Sequence, residues 1–228
     1  MIVAPAPQHW TAAGVRHELL ARVLPTLRHE LATPIATLRM ALLVLKRQLT
    51  QSAIDQPACQ ERMALLDEQL GALIRVLHSL RDWDLGTGEA AIARAALAAQ
   101  CVALMRPAFE VNGTRLEVDA AIAAQDGDLR LPSAGAPRYL CLGALGYLQD
   151  NLPQFGLVRV EADGADGLRF VALQHAANVP CVDHLPRPRS RLMIDAAALQ
   201  CLADDLGLGV DIRPEAVRVS LAQPQPLS

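Results

Sequence analysis

Two leucine seams constrain this 228-residue chain more than any other feature. Leu24, Leu27, Leu31, Ile35, Leu38, Leu42, Leu45 and Leu49 are separated by 3, 4, 4, 3, 4, 3 and 4 residues. That spacing predicts a helix with a coiled-coil-like stripe. Thr50 to Pro57 is polar and ends in proline, which suits a turn. Met63, Leu66, Leu70, Leu73, Leu77 and Leu80 then repeat at gaps of 3, 4, 3, 4 and 3. Two such helices joined by a short connection form an antiparallel hairpin. A hairpin cannot cover both of its apolar faces. The expected remedy is a second hairpin, giving a four-helix bundle by homodimerisation. The alternative is packing against the rest of its own chain.

Asp84-Leu85-Gly86-Thr87-Gly88 breaks the pattern and reads as a linker. Beyond it the pattern alternates. Helices are expected over 89–109, 137–150 and 194–206, and strands over 114–120, 157–162, 168–174, 209–213 and 216–222. Apolar residues make up 52% of the chain but aromatics only 3%, so the core must be aliphatic. The expected fold class is α+β, a helical hairpin over 1–84 followed by an α/β sandwich over 89–222. A short disordered tail is expected over 223–228.

A formal net charge of −3 argues against a general nucleic-acid binder, which needs a basic face for phosphates. The cysteines at 59, 101, 141, 181 and 201 are odd in number and include no C-x-x-C pair. They read as buried thiols in a reducing compartment. The first residues lack the pattern of a signal peptide. No run of about 18 uncharged apolar residues suggests a membrane span. The expected location is cytoplasmic, with neither nucleic acid nor membrane as a partner.

Within the first helix stands Arg28-His29-Glu30-Leu31-Ala32-Thr33-Pro34. His29 lies two residues from both Leu27 and Leu31, so at about 100° per residue it points away from the seam. Thr33 follows one turn on, on the same face. Pro34 sits inside the helix, where proline costs about 3 kcal/mol and removes a backbone bond. Arg16-His17-Glu18-Leu19 repeats the start of this motif but lacks the threonine and proline. His17, like His9 and His78, reads as a solvated helix-surface histidine.

His-Glu-x-x-Thr-Pro on the first helix of a dimerising hairpin resembles the phosphoacceptor box of sensor histidine kinases. The resemblance covers most of the chain: the hairpin is similar to their dimerisation and histidine-phosphotransfer domain, and the α/β part to their Bergerat-type ATP-binding domain. It implies that His29 is the nucleophile and phosphoryl carrier. Glu30 would orient and deprotonate it, and Thr33 would help position water for dephosphorylation of a partner. Arg28, Ala32, Ala36, Met40 and Leu43 fall on or near the His29 face. They are expected to contact a docked response-regulator receiver domain.

The second half departs from the resemblance at each nucleotide box. Aligning back from the strand at 157–162 puts Gly143 and Tyr147 where the kinases carry Mg²⁺-holding asparagines. A second register matches Gln149-Asp150-Asn151 instead, but Pro153 ends that helix at once. His175 stands at the adenine-recognising aspartate. Arg189-Ser190-Arg191-Leu192-Met193-Ile194 has no glycine to let backbone approach a phosphate. Loss of all three boxes is the pattern of dimeric phosphotransferases that look like kinases with a silent ATP domain. The sporulation phosphotransferase B and alphaproteobacterial cell-cycle types are examples. The expected function is phosphoryl relay between His29 and receiver aspartates. No intrinsic cofactor or metal is expected, and Mg²⁺ would arrive with the receiver. A divergent active kinase or phosphatase and a non-catalytic scaffold are the rivals. Cys181, Asp183 and His184, and Arg187, Arg189 and Arg191, read as polar loop residues. Trp10 and Trp83 read as packing residues.

Overall fold

The computed structural model describes residues 7–50, 55–81, 83, 85, 91–123, 130–152, 155–173 and 192–221. Two compact units emerge. One is Leu24–Thr87, and the other combines Met1–Val23 with Gly88–Ser228. This division cuts the first helix rather than following the linker at 84–88.

Helix α1 runs Pro7–Leu49 and α2 runs Gln56–Arg81. The Asp55 Oδ1 accepts a hydrogen bond from the Ala58 N–H at 3.1 Å, capping the start of α2. Pro57 therefore lies inside the first turn of α2, not in the connection. Proline is tolerated there because a first-turn N–H has no helical partner. In the Leu24–Thr87 unit the buried side chains include Leu27, Pro34, Ala41 and Cys59. The two seams are split by exposure. Leu31, Leu38, Leu45, Leu66, Leu73 and Leu80 are half-buried. Leu24, Ile35, Leu42, Leu49, Met63, Leu70 and Leu77 are between 36% and 62% exposed.

The second unit is an α/β sandwich. Strand β1 (Ile92–Ala93) opens it, followed by α3 (Arg94–Glu110), β2 (Arg115–Val118), the short α4 (Ala120–Ala123) and β3 (Arg130–Leu131). Helix α5 (Gly135–Asn151), β4 (Leu157–Asp163), β5 (Gly167–Leu173), α6 (Ala196–Leu206), β6 (Gly209–Arg213) and β7 (Ala216–Ser220) complete it. The main sheet has the order β2-β4-β5-β7-β6. Only the β2–β4 pairing is parallel within it. β1 and β3 form a separate antiparallel pair.

Strand side chains alternate between faces. Val158, Val160, Leu168, Phe170, Ala172, Val217 and Val219 are buried, beneath helices α3, α5 and α6. Arg169 and Arg218 face solvent on the opposite side. The core is aliphatic as composition predicts, with Leu97, Leu140, Leu142, Leu145 and Leu199 fully buried. Cys101 and Cys141 are buried between α3 and α5, and a hydrogen bond with Cys101, together with burial, pushes the Cys141 thiol up. Buried Arg94 donates to the Gly164 and Gly167 carbonyls at 3.0 and 3.2 Å, which fixes the β4–β5 turn. Asp195 caps α6 through the Ala198 N–H, and Gly207 ends it at φ 65°. The left-handed conformation there suits glycine, as the sequence position implies.

The head of α1 belongs to this second unit. Ala12, Val15, Leu19 and Val23 recur at gaps of 3, 4 and 4 and are at most 7% exposed. Fully burying such an aliphatic side chain is worth about 1.5–3 kcal/mol, which holds the head in place. Trp10 is a correction to the packing expectation: it is 67% exposed, because it falls off this stripe. No described helix is long and apolar enough to cross a membrane.

Candidate functional site

Helix α1 carries Arg28, His29, Glu30, Ala32, Thr33, Ala36, Met40 and Leu43, and every one of them is exposed. The helical period explains this. Leu27, Pro34 and Ala41, at steps of seven, take the buried face, so the His29 face turns outward. His29 is thus presented on a rigid element with its ring accessible to a partner. Met40 and Leu43 are 61% and 54% exposed, an apolar surface about three to four turns further along the same helix.

Two threonines alter the backbone here. The Thr33 hydroxyl donates to the His29 carbonyl at 2.9 Å, and the Thr37 hydroxyl donates to the Thr33 carbonyl at 3.1 Å. Such back-bonding bends helices slightly. Pro34 has no N–H to offer the Glu30 carbonyl, so the ladder is interrupted in the same turn. The Thr33 hydroxyl proton is therefore held by the backbone, while its oxygen, on an exposed side chain, can still accept a hydrogen bond from water.

The α5 face is where the resemblance expects nucleotide ligands. A Cβ at Gly143 would lie 2.9 Å from the Leu199 Cδ1 and Leu202 Cδ2 of α6. A Cβ at Gly146 would lie 2.8 Å from the Ile194 Cδ1 and 3.3 Å from the Leu19 Cδ2. Apolar side chains of the chain itself thus abut these glycines. Tyr147 is half-buried.

Beside them stands a buried polar cluster that periodicity did not reveal. The Arg22 Nε donates to the Glu18 Oε1 at 2.9 Å, and its Nη2 donates to the Asp150 Oδ2 at 2.7 Å. The same Nη2 donates to the Leu192 carbonyl at 2.7 Å. Asp150 Oδ2 also accepts from the Ile194 N–H at 2.8 Å, and Asn151 donates to the Ile194 carbonyl at 2.9 Å. The available signal was Glu18 and Arg22 at i,i+4 inside an apolar stripe. Nearby, Asp205 of α6 binds His9 at 2.5 Å and also Arg16. His9 is therefore a paired side chain rather than a simply solvated one. His175, Cys181, Asp183, His184, Arg187, Arg189 and Arg191 lie outside the described residues.

No family model matches the chain, and no curated protein matches it. Its structural neighbours include histidine kinases. The cytoplasmic segment of the histidine kinase QseC is 14% identical with a TM-score of 0.37, over 76% of this chain and 99% of that one. The Acinetobacter baumannii histidine kinase AdeS is 14% identical with a TM-score of 0.33, over 85% and 98%. The histidine kinase ThkA, in complex with the response regulator TrrA, is 11% identical with a TM-score of 0.33, over 96% and 66%.

Proposed function

We propose that the chain is a histidine kinase-like phosphotransferase of two-component signalling, passing phosphoryl groups between His29 and aspartates of response-regulator receiver domains. One observation carries this reading. The His-Glu-x-x-Thr-Pro box lies mid-helix with His29, Glu30 and the apolar Met40 and Leu43 all exposed on α1.

The chemistry is a transfer between two carriers. A neutral His29 ring nitrogen attacks phosphorus in the receiver's aspartyl phosphate. An N–P bond forms, the P–O bond to the aspartate breaks, and the aspartate leaves as a carboxylate. The proton on the other nitrogen of the attacking ring passes towards Glu30, the adjacent acceptor. Positioning and charge neutralisation supply most of the rate, with a divalent cation brought by the receiver. Ala32 and Ala36 leave room beside the ring for a docked domain. Thr33 would act in hydrolysis of the partner's phosphate by accepting a hydrogen bond from the attacking water.

The active species is a homodimer. Seven seam side chains stay 36–62% exposed in the single chain, and a second hairpin is the element that covers such a stripe. The α/β unit serves as a docking and structural module without a nucleotide site. Leucines abutting Gly143 and a leucine and an isoleucine abutting Gly146 support that role.

Incubation with a panel of phosphorylated receivers tests the proposal. Label moves onto the protein from at least one of them, and none appears with ATP and Mg²⁺ alone. Self-labelling from ATP would establish the active-kinase rival. Failure to accept label from any receiver would favour the scaffold.

A further inference from the structure

The unit formed by residues 1–23 and 88–228 holds a histidine cluster of its own. His9 stands in the first turn of α1, and Asp205 near the end of α6. The His9 Nδ1 meets the Asp205 Oδ1 at 2.5 Å, and the Arg16 Nη1 donates to the other carboxylate oxygen. Burial pushes the Asp205 carboxyl up, but the bonds from His9 and Arg16 outweigh it and hold the group below its ordinary value, so it is ionised at neutral pH. An ionised carboxylate only accepts, so Nδ1 carries the ring proton. That fixes the tautomer and makes Nε2 the lone pair of the neutral ring. The His9 side chain is 61% exposed, and its Nε2 has no partner among the described residues. The Arg16 Nη2 and Nε donors have none either. His17, His29 and His78 are exposed as well, and none has a carboxylate bonded to its ring among the described residues.

We propose that His9 is a modification site whose Nε2 takes a phosphoryl group from a small donor with a phosphorus–nitrogen bond, positioned by Asp205 and Arg16. The arrangement is that of an activated nucleophile, a side chain held by a partner that is itself held by a third group. With phosphoramidate as donor, the Nε2 lone pair attacks phosphorus and a new N–P bond forms. The donor's own P–N bond breaks, and its protonated nitrogen leaves as ammonia. The ring keeps its Nδ1 proton and gains a positive charge, which the Asp205 carboxylate stabilises. Arg16 cancels the Asp205 charge that would repel a phosphate, and its unused N–H groups suit phosphate oxygens. The inference stands on this cluster and does not depend on the role of His29, whose donors are receiver domains.

Site-resolved labelling of the full-length protein with phosphoramidate at about pH 8 tests it, with phosphohistidine on each peptide followed by mass spectrometry. His17 is the internal reference, exposed on the same helix without a carboxylate. His9 gains label at least tenfold faster than His17. Asp205→Asn brings His9 down to the His17 rate and leaves His17, His29 and His78 unchanged, with helix content held constant by circular dichroism. The wild-type ratio decides the proposal by itself should Asp205→Asn fail to fold. Equal rates at His9 and His17 in the wild type overturn it. So does a His9 rate that a folded Asp205→Asn leaves unaltered.

Discussion

Arg22 on the first helix and Asp150 at the end of α5 are joined by a 2.7 Å charge-assisted hydrogen bond inside the protein, 128 residues apart in sequence. Glu18 closes the cluster from one helical turn away. Breaking such a pair from one side leaves a buried charge without a counterion, which costs about 3–5 kcal/mol. Arg22→Ala leaves Glu18 and Asp150 without their cation and should lower unfolding free energy by that amount in urea, whereas Asp150→Ala leaves Arg22 paired with Glu18 and should cost less. The double variant should cost less than the sum, because the second change no longer strands a charge.

The α5 face should reject the asparagine that the kinase resemblance would place there. A Gly143→Asn side chain meets Leu199 and Leu202 at its first carbon. Overpacking of this kind costs about 1–3 kcal/mol. Thermal unfolding should move down accordingly, and a fluorescent ATP analogue should bind the variant no better than the wild type. Gained nucleotide binding would count against a closed face.

Dimerisation should depend on the exposed half of each seam. Leu42→Glu or Leu70→Glu places a charge where an apolar partner surface is proposed. Either change should weaken association at least a hundredfold, or about 2.8 kcal/mol, by sedimentation at graded concentrations. Leu38 and Leu73 are half-buried, so polar changes there should reduce helicity and stability as well. A wild type that sediments as a monomer would remove the bundle from the account.

Asp205 gives an acid-side signature. Burial pushes its carboxyl up, but hydrogen bonds from His9 and Arg16, and their charge, outweigh this and hold it below its ordinary 3.8. A carboxyl depressed in the folded state contributes stability above its unfolded value, lost as pH falls through the folded one. The stability gap between the wild type and Asp205→Asn should therefore be full at neutral pH. It should shrink below about pH 3.8, as followed by urea midpoints across pH. A gap that stays constant down to pH 2 would contradict the pairing.

The sequence displayed the regular elements because each carries its own period. The seams of α1 and α2, the alternation of β4 and β5, and the Gly207 cap are all local patterns. The exposure of His29 followed from its angle to Leu27 and Leu31. The two-residue strands β1 and β3 were not legible, since two residues carry no alternation. The head of α1 was missed for a different reason. Its buried stripe is short and interrupted by Glu18 and Arg22, and Arg22 finds Gln149 and Asp150 on a helix more than a hundred residues away. Charged residues in a helix read as surface until such a long-range partner is known.

The account turns on His29 as carrier, and one labelling experiment addresses it. A receiver domain carrying radiolabelled aspartyl phosphate is mixed with the wild type and with His29→Ala, and label on each is followed in acid and in base. The account predicts an acid-labile, base-stable label on the wild type and none on His29→Ala, with both proteins equally folded because the His29 side chain is exposed. Label that persists on His29→Ala, or that never reaches the wild type from any receiver, would contradict it.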